Sequence, residues 1–218
     1  MNTKNSAASR WRSLALAGPA ASLMFAASLI WFAAIRSDGY SHGTKAISEL
    51  GAVGAPFASG FNLLGFVVPG ALVICLAVAI LKLAPPRTCR TGVALLSVSG
   101  LSLASAGVFP VDMSARASLT STLHLAAASA SGLSWMLALF WLGPALRKHL
   151  GLHTLGRLTP WFGLFLVANI AWQVLWQSTG WVLPGWGQRI GFAGYFLWTF
   201  WMGVSLRARR TDGNPPLT

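Results

Sequence analysis

The constraint that decides the fold class is a row of six apolar stretches, at about 13–35, 59–83, 92–110, 119–143, 159–180 and 189–206. Each is near the ~20 residues that an α-helix needs to cross ~30 Å of hydrocarbon. Across the chain 55% of residues are hydrophobic and 9% are charged, and the mean hydropathy is +0.61. Soluble domains carry about a quarter charged residues, so a water-soluble fold of this length could not hide so much apolar surface. In a bilayer each backbone amide needs a partner within its own segment, so helix is the state expected of all six stretches. That includes the third, which is short and stops at Pro110. The expectation is an all-α polytopic membrane protein: one six-transmembrane-helix bundle over 13–206, flanked by tails at 1–12, read as disordered, and at 207–218.

The formal charge of +12 comes from sixteen Lys and Arg against four acids. The bases cluster between the apolar runs, which marks topology and not a nucleic-acid partner. Twelve of them (Lys4, Arg10, Arg12; Lys82, Arg87, Arg90; Arg147, Lys148, Arg157; Arg207, Arg209, Arg210) fall on the side of the termini. The other side holds only Arg36, Lys45, Arg116 and Arg189. This bias puts both termini in the cytoplasm; the expected location is a bacterial inner membrane. The first run exceeds a signal-peptide core of 7–15 residues, so it reads as an uncleaved helix. Cys75 and Cys89 fall at different depths, and no disulfide is expected. His149 and His153 would share a helical face, but Gly151 and the neighbouring cations favour solvated loop histidines.

Polar residues within the spans are expected to face the bundle interior. Asn62, Gly65, Pro69 and Gly70 share one face; so do His124, Ala127, Ala128 and Ser131; Asn169, Gln173, Trp176 and Gln177 form a third stripe. Any one of these can be simple interhelical packing or hydrogen bonding. Together, however, the strongest polar groups gather at one boundary: Asn62, Asp112, His124, Gln177, Gln188 and Arg189. The stretch 107–124 is the focus, because it carries an acid (Asp112), a base (Arg116) and an imidazole (His124) in a chain poor in acids. Residues 37–58 form a long outer loop, expected to be structured. Ile47, Leu50 and Val53 are spaced like one face of a short interfacial helix, with Ser48 and Glu49 at the surface.

Ile47-Ser-Glu-Leu-Gly51, Phe61-Asn62, Gly107-Val-Phe-Pro-Val-Asp112 followed by His124, and Gly187-Gln-Arg-Ile190 resemble the prokaryotic membrane family known as domain of unknown function 998. The resemblance runs from the first outer loop to the sixth span and implies six membrane helices without an established activity. A fainter likeness runs to the Frag/DRAM/Sfk group, whose members are linked to lipid remodelling and distribution.

Three readings of the outer cluster follow. The favoured one is an outward-facing pocket binding a membrane lipid or small amphiphile through Glu49, Asn62, Arg116, Gln173, Trp176, Gln177 and Arg189. There Arg116 and Arg189 would hold a phosphate and the tryptophans (172, 176, 181, 186, 198, 201) would cradle the headgroup. The alternative is a metal-assisted lipid hydrolase or transferase. Asp112, Glu49 and His124 would then ligate a divalent metal, and Ser48 would be a nucleophile with His124 as its base. The third is structural, with Asp112–Arg189 or Glu49–Arg189 ion pairs clamping the loop and His124 donating to a backbone carbonyl. An unpaired Asp in the membrane is costly, so some partner is required.

Overall fold

The computed structural model describes residues 3–84, 86–178 and 184–209, with side chains described for 8–84, 89–175 and 185–209. Every regular element among them is helical. Helices α1 (Thr3–Leu14) and α2 (Ala17–Ala34) make the first span, and a 3₁₀ turn (Ile47–Gly51) lies in the loop after it. The second span joins α3 (Ala58–Phe61), a π-helical segment (Asn62–Val67) and α4 (Val68–Leu83). Then come α5 (Pro86–Val108), α6 (Leu119–Leu150), α7 (His153–Ser178) and α8 (Pro184–Ala208). Five stretches are long and apolar enough to cross a membrane: Ala8–Ala34, Ala58–Leu83, Cys89–Val108, Leu119–Leu150 and His153–Leu175. The protein is a polytopic helical membrane protein. At 25 residues α8 is long enough too, but its Gly, Trp and Tyr content and its arginines dilute its hydropathy.

Several boundaries differ from the expectation. Residues 3–14 are helical, not a disordered tail. The third span is not short, because Pro86 opens it at a position where its missing N–H is harmless. Helix α6 runs past 143 through Pro144 to Leu150, where Arg147, Lys148 and His149 complement the negative helix end. Gly151 then takes the left-handed conformation (φ 65°) that stops it. His149 and His153 consequently lie on different helices. The segment 179–183, with Trp181, and the end of the chain from 210 lie outside the described residues.

The spans close into a ring. Helix α2 packs beside α4 and α8, α4 beside α5, α5 beside α6, α6 beside α7, and α7 beside α8. With no hydrophobic drive between helices in lipid, close backbone approach must hold such a ring. Gly70 and Gly100 make the α4–α5 seam: a Cβ on Gly70 would sit 2.4 Å from the Gly100 carbonyl oxygen. Gly18 and Gly203 make the α2–α8 seam, where a Cβ on Gly203 would lie 2.4 Å from the Ala15 carbonyl oxygen. Aromatic rings fill the middle. Phe25 stacks on Phe196 at 4.3 Å, and Trp135 lies 5.0 Å from Tyr195. Trp198 is wholly buried and donates to the Thr159 hydroxyl at 3.1 Å, so it is a core residue and no part of an interfacial cradle.

Candidate functional site

The long loop is latched to the bundle through its backbone. The 3₁₀ turn buries Ile47 and Leu50 but leaves Val53 exposed, so only two of the three expected apolar anchors point inward. Asn62, buried at the start of the π segment, donates from Nδ2 to the Gly51 carbonyl at 2.8 Å. The Ile47 amide donates to Gln188 Oε1 at 2.9 Å. Arg36 donates to the Glu49 carbonyl at 3.2 Å. Arg189 is fully engaged: Nη1 donates to the Lys45 and Gly185 carbonyls, Nη2 to the Tyr40 hydroxyl at 2.6 Å, and Nε to His42 Nδ1 at 3.2 Å. Burial, and the adjacent Arg189 charge, hold His42 below the usual imidazole range.

The acids pair elsewhere than expected. Glu49 accepts from the Ala46 amide at 2.9 Å and pairs with Lys45 at 3.4 Å. Asp38 pairs with Arg36, which holds its carboxyl below the usual range. Neither the Asp112–Arg189 nor the Glu49–Arg189 pair forms. Asp112 instead closes the turn after α5. Its Oδ1 accepts from the Ser114 hydroxyl (2.7 Å), the Ser114 amide (2.9 Å) and the Ala115 amide (3.1 Å). The hydroxyl, then these amides, hold its carboxyl below the usual range. Ser118 caps α6 by accepting from the Ser121 amide, and Ser121 in turn accepts from the Asp112 amide at 2.9 Å. Arg116 is exposed in the same turn.

One turn into α6, His124 is buried, with Nδ1 2.9 Å from both the Ala106 and Phe109 carbonyl oxygens. Carbonyls only accept, so these partners assign a proton to Nδ1. Beside it lies a cavity of about 590 Å³ between α6, α7 and α8, roofed at the loop end by Ser48. It exists because α6 presents little volume there: Ala128, Ser129 and Gly132 line it where larger residues would fill it. Its polar wall holds His124, Ser131, Asn169, Gln173, Gln188 and Tyr195. Leu133, Ile170 and Val174 line it too, and are at least half exposed on the outer surface of α6 and α7. Deeper, Tyr195 OH lies 3.0 Å from the Ser99 hydroxyl, which donates to the Ser131 carbonyl. Asn169 Nδ2 donates to the Gly187 carbonyl at 3.1 Å. Two buried atoms of the lining residues, Asn169 Oδ1 and Trp135 Nε1, have no partner among the described residues.

The structure thus brings Ser48, His124 and Gln173 to one cavity, with no hydrogen bond between Ser48 and His124 among the described contacts. It places Asn62, Glu49 and Arg189 in the loop latch, and Asp112 and Arg116 in the turn between α5 and α6. The side chains of Trp176 and Gln177 lie outside the described residues. Asp112, Glu49 and His124 are each committed to separate partners. Among the described residues no group of three His, Cys, Asp or Glu could hold a metal. Asn169 carried a visible signal in a polar stripe, and Gln188 in the set of polar residues at one boundary. Tyr195 and Trp135 gave none beyond a polar handle on an aromatic ring.

A family model described as a protein of unknown function (DUF998) matches residues 8–205. No curated protein and no solved structure matches the chain, and the likeness to the Frag/DRAM/Sfk group gains no support from these comparisons.

Proposed function

The chain belongs to the DUF998 family of proteins of unknown function, and from that premise we propose that it binds a membrane amphiphile in the cavity between α6, α7 and α8. The observation that carries the reading is the cavity's two-sided character. Leu133, Ile170 and Val174 belong both to its lining and to the apolar outer surface of two spans, so a hydrocarbon tail can enter sideways from lipid. His124, Asn169, Gln173 and Gln188 form a polar end beneath the latched loop. The volume falls in the ~300–1,000 Å³ range of small-molecule sites. In this reading α8 is a sixth span, both termini are cytoplasmic, and the loop faces away from the cytosol in a bacterial inner membrane.

Gly132→Leu tests it directly. A Cβ there meets only Leu166 at 3.9 Å, so the substitution fills the cavity without striking a backbone. Native mass spectrometry of the wild type released from mild detergent should show a lipid-sized adduct that the variant loses. A wild type with no adduct, or equal occupancy in the variant, would overturn the proposal.

A further inference from the structure

We infer that the rim away from the latched loop carries a second site, for the phosphate head of an anionic phospholipid, held by Arg12 and Arg209 where three helix ends meet. Helix α8 starts beside the loop that Arg189 holds, and at ~1.5 Å per residue its end at Ala208 lies roughly 35 Å away. There Arg12, in the last turn of α1, donates from Nη1 to the Arg209 carbonyl at 2.8 Å. Arg209, just past α8, donates from its own Nη1 to the Leu83 carbonyl at the end of α4, 3.5 Å away. Lys82 lies alongside, its Nζ 5.7 Å from the centre of the Trp11 ring.

Three cations are thus drawn together from three helix ends. The negative end of a helix attracts cations, which accounts for one N–H of each arginine. A guanidinium has five, so most remain to be used. Among the described residues neither arginine pairs with an acid. The ion pairs are Arg36–Asp38 and Lys45–Glu49, and Asp112 is spent on its own turn, all at the other end of the bundle. Burial, and then the Arg12 charge, hold the Arg209 guanidinium below its usual range. Like charges so placed favour an anion between them, and two planar guanidinium forks match a phosphate. Depth selects a lipid head over free phosphate. Leu16 and Val204, each about one turn deeper, are 44% and 41% exposed and face hydrocarbon in a membrane. The arginines stand where that apolar surface ends, at headgroup level, where basic pockets between helices hold anionic heads.

The test follows the unfolding midpoint of the full-length protein in a neutral detergent as phosphatidylglycerol or phosphatidylcholine is added. The two lipids carry the same acyl chains, so the difference between them reports the head and not the cavity. Phosphatidylglycerol should act at the lower concentration. Arg12→Gln with Arg209→Gln should raise its half-effect concentration about thirtyfold, the worth of two cations at an anionic head. Arg10→Gln with Arg207→Gln, exposed cations of the same rim, should leave the preference in place. Equal loss in both double variants would mean diffuse attraction to the rim and would overturn the site. So would a preference that neither moves. Inorganic phosphate that reproduces the shift, and fails in the first double variant, overturns the lipid assignment. Asp212, three residues after Arg209, lies outside the described residues. A preference that shows only in Asp212→Asn would give the arginines to that carboxylate and overturn the proposal. Lipid-free midpoints check folding; should the first double variant not fold, Arg209→Gln alone carries the test with a shift of about fivefold.

Discussion

Gly51 shows how closely the loop is fitted. An added Cβ would lie 1.9 Å from Asn62 Oδ1, so no side chain can stand there while Asn62 holds the turn. Gly51→Ala should displace Asn62 and lower stability by about 1–3 kcal/mol, the penalty of breaking a buried hydrogen bond. Unfolding in detergent measures it, and an unchanged midpoint would show that Asn62 is not the clamp. At this scale the sequence was only partly legible. His124, Ser48 and Gln173 could be picked out as polar residues near one boundary, and all three reach the cavity. Asp112 and Arg116 shared that boundary but not the cavity, because spacing along the chain locates a residue's depth without its direction. The committed bonds of Asp112 to Ser114 and Ala115 are local turn chemistry, which composition cannot distinguish from catalysis.

The elements were more legible than their ends. Hydropathy locates spans by their apolar middles, so it clipped α6 at its basic last turn and α7 at the residues before Thr159. It also read as a tail the polar helix α1, whose only basic residue in the last turn is Arg12. The π segment at Asn62–Val67 left no trace, since its extra-wide turn keeps Asn62, Gly65, Pro69 and Gly70 buried much as a plain helix would. The loop depends on its latch to α8. Here His42 accepts from Arg189, so the latch needs a neutral imidazole, with Tyr40 and Lys45 the other titratable groups close by. Because His42 titrates below its free value of about 6.5 in the folded protein, the latch is at full strength above that pH. It weakens as pH falls from there through the folded value. Between about pH 7.5 and about pH 5.5 the wild-type melting temperature should therefore fall further than that of His42→Gln. Parallel falls would remove His42 from the latch.

The whole molecule is a ring of helices with twelve of its sixteen Lys and Arg in segments at the end away from the latched loop. The six-span reading with both ends cytoplasmic makes a labelling prediction. In a Cys75→Ala, Cys89→Ala background, Arg116→Cys should react with a membrane-impermeant maleimide on intact cells. Lys148→Cys should react only after permeabilisation. Reaction of both from one side would exclude this topology. The order of helices round the ring could not be read from the chain, because the glycine seams at Gly70–Gly100 and Gly18–Gly203 pair residues whose partners no periodicity names.

Of the five apolar spans, the one on helix α7, His153–Leu175, is the least embedded, with 17% of its apolar stretch buried in the protein against 50% for Ala58–Leu83. It supplies one wall of the cavity, yet most of its surroundings are solvent for membranes, not protein. The width of that chamber is thus set jointly by the chain and by whatever acyl matrix presses on it. With an amphiphile bound there as proposed, bilayer thickness and lateral pressure would become tuning variables for occupancy, and a short-chain detergent that squeezes α7 inward would strip the guest during purification.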